Sequence, residues 1–230
     1  WTMGLQEERA RMLLPLAWLV RVEDTPEHRE WLRRVADDLV AKQEPCGAIR
    51  EMLGDASIGL AIQAQSHDEY GAREMPIIQS NADNACDLLY TCNFALLGLH
   101  EAVSAGESKY EEAEKKLAQF LCKIQIRSEE HVELDGGWYR AFDFDRWEFW
   151  ASDGDNGWGA WSIESGWSQA WIVSVLALRE LNTSLWDLIA NLPKDESADQ
   201  KIQEMMGAAA GAASGEKAEH LAAGKKVVAT

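Results

Sequence analysis

The chain has 230 residues, 47% of them hydrophobic and 27% charged, which is enough apolar material to bury the core of one large or two small domains. Its net charge of −17 and isoelectric point near 4.7 exclude the clustered basic surface that phosphate backbones require, so no nucleic acid is expected as a partner and the acidic coat reads as a solubility feature. The longest apolar run, Met12 to Val22, falls short of the roughly 20 residues of a bilayer span and is interrupted by Pro15, so a soluble chain without a membrane segment is expected.

Leu5, Met12, Leu13, Leu16, Leu19 and Val20 recur at helical spacing and predict a first, mostly internal helix. Thr25-Pro26-Glu27 supplies a hydroxyl cap, a proline at the first helical position and an acid at the positive end. A second helix is therefore expected from there to about Lys42, with Trp31, Val35 and Leu39 on one face. The short link makes the two an antiparallel hairpin. From Glu44 to Asn84 the periodicity is broken by Pro45, Gly47, Gly54, Gly59, Gly71 and Pro76, which predicts a long excursion of loops, and loops of that length are usually functional.

Asp83 or Asn84 is the expected cap of a third helix, in which Leu88, Leu89, Cys92, Leu96, Leu99 and Val103 repeat until Gly106. A fourth restarts at Ser108, where Ser108 and Glu111 have capping-box spacing and Leu117, Phe120, Leu121 and Ile124 supply the buried stripe. Leu134 to Ile163 reads as a Trp-rich loop in which Trp138 to Phe144 has the pattern of one strand of a short hairpin. It leads into a helix carrying Trp167, Trp171, Val175 and Leu178, and a short helix follows around Leu185 to Leu192. The expected class is all-α, an α/α hairpin array over residues 1–193, followed by an Ala/Gly/Lys/Glu-rich tail over 194–230 that is flexible or marginally helical. Connections that alternate between tight turns and long loops imply that the long loops share one end of the array, the usual place for a binding face.

Seven of the eleven tryptophans lie between Trp138 and Trp171, among Asp143, Asp145, Glu148, Asp153, Asp155 and Glu164. Indole faces pack against the C–H groups of a pyranose ring, and carboxylates bind hydroxyls or move protons at a glycosidic oxygen, so carbohydrate is the expected substrate class. Trp138, Tyr139, Arg140, Trp147, Trp150, Trp158, Trp161 and Trp167 are the candidate sugar contacts, with Asp87 as a further acid; burial as core is the competing role for each indole. Asp143 and Asp145 share a face if their segment is extended, and Phe142, Phe144 and Trp147 beside them could desolvate either one. They are the leading acid and base, with turn capping or pairing to Arg140 and Arg146 as the alternative. Glu164 opens the helix of Trp167 and Trp171, where the backbone dipole lowers a carboxyl pKa and suits a base, nucleophile or cap.

No metal or other cofactor is expected: His28, His67, His100, His131 and His220 are scattered without metal-site spacing. Asp153-Gly154-Asp155 resembles the opening of a Ca2+ loop, but the sixth position, which needs glycine, holds Trp158. Cys46, Cys86, Cys92 and Cys122 have no zinc spacing and read as structural thiols, which favours a reducing compartment such as the cytoplasm. A chain that opens at Trp1 instead of a methionine leaves room for a preceding segment.

Three stretches carry a resemblance to a family: NACDLLYTCNFALLGLHEA from Asn84 to Ala102, DGGWYRAFDFD from Asp135 to Asp145, and GWGAWSIESGWSQAW from Gly157 to Trp171. Together with the helical hairpins they resemble the six-hairpin glycosidase superfamily, the (α/α)6 toroids that include unsaturated glucuronyl hydrolases, related glycoside hydrolases and sugar epimerases. The resemblance, over about Met3 to Leu192, implies half of a twelve-helix toroid, the C-terminal part of a larger protein. It also implies that a catalytic partner can lie in the other half, and that an exposed apolar helix layer meets the rest of a parent chain or a second copy. Glycoside hydrolysis of an oligo- or polysaccharide is the expected activity. A polysaccharide lyase or epimerase with Tyr139 as base, and a non-catalytic sugar-binding or scaffolding domain, are the alternatives.

Overall fold

The computed structural model describes residues 4–54, 77–78, 80–149 and 168–190. Nearly all of them belong to one compact unit, Trp1–Leu188, and a second unit begins at Ile189. The tail expected over 194–230 lies outside the described residues. The described part is mostly helical, with α1 (Leu5–Val22), α2 (Pro26–Val40), α3 (Thr91–Ser104), α4 (Glu111–Ile124), α5 (Ser168–Glu180) and α6 (Leu185–Ala190). The α2 start is built as its sequence predicts: Thr25 Oγ1 accepts the His28 N–H at 3.1 Å, with Pro26 at the first position.

The hub is α3, which packs on α1, α4 and α5. Leu96, Leu97 and Leu99 are all fully buried, because a helix surrounded by neighbours needs apolar residues all round. Its approach to α1 is close: a Cβ on Gly98 would stand 2.3 Å from the Leu13 Cβ. Ala10 and Ala17 on α1 and Ala95 and Ala102 on α3 are buried too, small side chains that keep the two backbones near each other. At the far end of this pair, the buried Glu101 carboxylate accepts the Trp18 indole N–H at 2.8 Å and the Leu185 N–H at 2.7 Å, tying α1, α3 and α6 together.

Two starts differ from those expected. Residues Ala85–Asp87 form a strand, β1, and α3 begins only at Thr91, so neither Asp83 nor Asn84 caps it. Ser108–Tyr110 is a single 3-10 turn that runs into α4 without a side-chain cap, so the Ser108 and Glu111 box is not made. The buried Glu107 just before it is used instead, accepting from Arg29 at 2.8 Å and Arg33 at 2.7 Å and so joining α2 to the α3–α4 turn.

Two further short strands, β2 (Ala141–Asp143) and β3 (Glu148–Phe149), form the hairpin anticipated near Trp138 to Phe144. The sheet order is β1-β2-β3, all antiparallel, with Cys86 opposite Phe142 and Asp143 opposite Glu148. The strand β1 belongs to the α2–α3 connection, and β2 and β3 to the α4–α5 connection. The two long connections thus meet at one end of the array. Replacing Gly98 by alanine should cost about 2–3 kcal/mol in urea unfolding, the usual penalty for overpacking, and a double-mutant cycle with Leu13→Gly, which removes the Cβ that the new methyl would meet, should show the two costs to be strongly non-additive. Additive costs, or none, would mean that α1 and α3 are not held this close.

Candidate functional site

The meeting point of the loops is organised around Glu51. The first helix starts at Gly4, which has no side chain to cap it, and a Cβ there would stand 3.0 Å from the Glu51 carboxyl carbon. Glu51 supplies the missing acceptor from the first long connection: its Oε1 takes the Gln6 and Met52 N–H groups, each at 3.0 Å. Its Oε2 takes the hydroxyl of Thr91, the first residue of α3, and its own N–H donates to the Ala85 carbonyl at 3.1 Å. Glu51 therefore fixes the starts of α1 and α3 through its carboxyl and that of β1 through its backbone N–H. It is 1% exposed, and burial pushes its pKa up to about 7 despite these three donors, with the nearby charge of Asp87 adding to the rise.

Asp87, also buried, ends β1 and turns the chain into α3: its Oδ1 accepts the Leu89 N–H at 2.7 Å and the Tyr90 N–H at 2.8 Å. Asp143 repeats the device at the end of β2, where its Oδ1 accepts the Asp145 and Arg146 N–H groups, each at 2.9 Å. The neighbouring Asp145 side chain is exposed. The expectation that Asp143 and Asp145 share a face does not hold, because the chain leaves the strand at Asp143 and the alternation of side chains ends there. Arg146 approaches Asp143 only at 3.9 Å.

Trp138 is core. It is 1% exposed, its indole N–H donates to the Leu121 carbonyl at 2.8 Å, and Gln169 at the start of α5 bonds both its N–H and its carbonyl. No face of that ring is open to a ligand. Tyr139 is nearly buried and meets the Phe149 ring edge-on at 4.7 Å. Arg140 and Arg11 both approach the Tyr90 ring, at 6.0 and 4.9 Å. Trp147 presents an open surface: it is 47% exposed, leans edge-on against Phe142 and Phe120, and holds a left-handed backbone with φ +59°. That conformation is costly for a bulky residue and is held here by ring packing.

Glu164, Trp150, Trp158, Trp161, Trp167, Asp153 and Asp155 lie outside the described residues. The stems on either side of that stretch, Phe149 in β3 and Ser168 in α5, both belong to the loop end. Among the described residues no group of three or more His, Cys, Asp or Glu has the arrangement of a metal site, and no helix is long and apolar enough to cross a membrane. Cys86 and Cys92 are buried, Cys46 is partly covered and Cys122 is exposed.

Glu51, Arg11, Tyr90 and Thr91 join the site without having been singled out by the sequence. The available signal was slight: Glu51 and Arg50 are an adjacent charged pair set among Ala48, Ile49, Met52 and Leu53. No family model matches this chain, and the searches of curated proteins and of solved structures gave no match either.

Glu51 makes stability depend on pH in a defined direction. Its folded pKa of about 7 stands above an ordinary value of 4.5, so its contribution is full below pH 4.5 and is lost as pH rises through 7. Between those limits the wild type should lose about 3 kcal/mol relative to Glu51→Gln, as measured by urea unfolding at several pH values. Parallel pH profiles for the two proteins would contradict the burial of an isolated carboxyl here.

Proposed function

We propose that this chain is a carbohydrate-active protein, a glycoside hydrolase acting on an oligo- or polysaccharide at the loop end of the helix array, and that the array is part of an (α/α)6 toroid. The observation that carries the reading is the pairing of β1 with β2, which brings the α4–α5 connection, where aromatic residues and acids are concentrated, against the α2–α3 connection that supplies Glu51 and Asp87. The helix contacts support the architecture: α3 packs between α1 and α5, while α2 packs on α1 and α4 on α3, the two-layer alternation of such a toroid. Met12 and Val22 on α1 and Val173 on α5 are exposed, as expected where further helices of a parent chain or a second copy would continue the layers.

In this reading one carboxyl protonates the glycosidic oxygen as the C–O bond breaks, and a second carboxylate takes a proton from the attacking water or attacks the sugar carbon itself. Asp143, Asp145 and Glu164 are the candidates for these roles. Trp147, with Trp150, Trp158, Trp161 and Trp167, provides stacking surface, and Tyr139, Arg140 and Asp87 line or support the site. Glu51 is a positioning residue, because both of its oxygens are occupied by structural donors. One observation favours a second reading, a non-catalytic sugar-binding domain: Asp143 already serves as a turn cap.

Asp143→Asn, Asp145→Asn and Glu164→Gln, assayed singly for release of reducing ends from a panel of oligosaccharides, should include at least one variant that folds and loses about 10²-fold or more in turnover. Trp147→Ala should weaken binding. If all three acid variants keep full turnover, these acids do not carry catalysis. If no panel sugar is cleaved while Trp158→Ala abolishes sugar binding, the binding-domain reading replaces hydrolysis, and products absorbing in the ultraviolet would instead identify a lyase.

A further inference from the structure

The opposite end of the array holds a buried charge cluster that the proposed chemistry does not use. His100, on α3, has its Nδ1 2.8 Å from Glu114 Oε1 on α4 and its Nε2 2.8 Å from the carbonyl oxygen of Thr183 in the α5–α6 turn. Both partners accept hydrogen bonds, since Glu114 also receives Arg179 from α5 as a carboxylate. A neutral imidazole carries one N–H and can satisfy one acceptor only; both contacts exist together when both ring nitrogens are protonated. With both nitrogens engaged, His100 is not free to act as a general base.

The surroundings select the charged ring. On α3 the neighbouring group is Glu101; α4 contributes Glu114, Glu111 and Lys115; α5 contributes Arg179; α6 contributes Asp187, which is 3.4 Å from Arg21 of α1. Four acids thus face three fixed cations and the imidazole. Burial opposes the charge on His100, and the Glu114 carboxylate, the Thr183 carbonyl and the field of Glu101 overcome it, so its pKa is raised above the ordinary 6.5. A cavity of about 410 Å³ lined by His100, Glu114, Arg179, Asn182 and Thr183 adjoins the ring and gives water a route to the proton.

The turn is built so that this bond matters. Asn182 takes a left-handed conformation at φ +50°, and the Thr183 N–H closes α5 by donating to the Leu178 carbonyl at 3.1 Å. Thr183 is thus tied to α5 through its N–H and to α3 through its carbonyl. Immediately after it, Ser184 Oγ accepts the Asp187 N–H at 3.1 Å and caps α6.

We propose that His100 is a proton-operated latch: charged, it clamps the α5–α6 turn onto α3 and α4, and neutral, it releases Thr183 and loosens the start of α6. On deprotonation the proton leaves Nε2 for water, because Nδ1–H stays with the negatively charged Glu114. The bare Nε2 lone pair then faces the Thr183 carbonyl oxygen, and the contact becomes repulsive. The clamp is fully present below pH 6.5 and is lost as pH rises through the folded midpoint above that value.

Nitrogen-detected NMR of the histidine rings from pH 5 to 9, combined with amide hydrogen exchange on the full chain, tests the latch. His100 should titrate above pH 6.5, and amide protection over residues 181–188, corrected for intrinsic rates, should fall about tenfold through the same midpoint. His100→Leu, which has no N–H to offer Thr183, should show the lower protection at every pH. Should that variant not fold, Glu114→Gln must lower the wild-type midpoint. A His100 ring that is neutral at pH 6, or protection over 181–188 that ignores its titration, would overturn the proposal.

Discussion

The architecture depends on how closely α1 approaches α3. Gly98 leaves no room between the Leu13 side chain and the α3 backbone, and a single methyl group there would have to displace one of the two helices. The contact is pinned at both ends by buried carboxyls: Glu51 joins the two helix starts, and Glu101 joins their far halves to α6 through Trp18 and Leu185. Buried acids are an expensive way to join elements, since each must find donors for its oxygens inside the protein. Their advantage is direction: a hydrogen-bonded carboxyl sets the relative level of two helices, whereas apolar contact alone lets them slide.

With that level set, the loop end follows. Both helix starts, the end of β1 and the stem leading to β2 arrive at the same height, and two aspartates of the same kind, Asp87 and Asp143, then turn each strand by accepting two consecutive backbone N–H groups. The loop end therefore rests on three carboxyls, Glu51, Asp87 and Asp143, whose oxygens hold backbone N–H groups of the loops and helix starts. Asp145, Arg146, Trp147 and Glu148 stand exposed between β2 and the end of β3.

The helices were legible from the sequence wherever one face is buried and the other wet. Thr25 with Pro26 marks the α2 start, and Leu117, Phe120, Leu121 and Ile124 mark α4, because burial there follows the helical period. The strand β1 was not legible: Ala85, Cys86 and Asp87 are all buried, so period-two alternation never arises, and its apolar residues merge with those of α3 into one helix-like run. Ser108 misled for a related reason, since capping-box spacing cannot show that the chain makes a 3-10 turn first.

Of the candidate site, the loop end was legible from the alternation of short and long connections, and the roles of individual residues were not. Trp138 looked like a sugar platform and is core, because the signal for both is the same indole beside glycine. Of the two roles the sequence leaves open for Asp143, its Oδ1 fills the turn cap, because the chain leaves the strand there. Glu51, with Arg50 beside it, has the sequence pattern of a solvated charge pair; its burial comes from the distant partners Gln6 and Thr91.

The proposed saccharide site lies at the end where the two long connections meet. Backbone amide shifts of isotope-labelled full-length protein, followed while oligosaccharides are added, test it most directly. The account predicts saturable changes concentrated at residues 87–90 and 139–149, with residues 100, 114 and 179–187 at the opposite end unmoved. Changes confined to that opposite end, or none with any sugar offered, would contradict it.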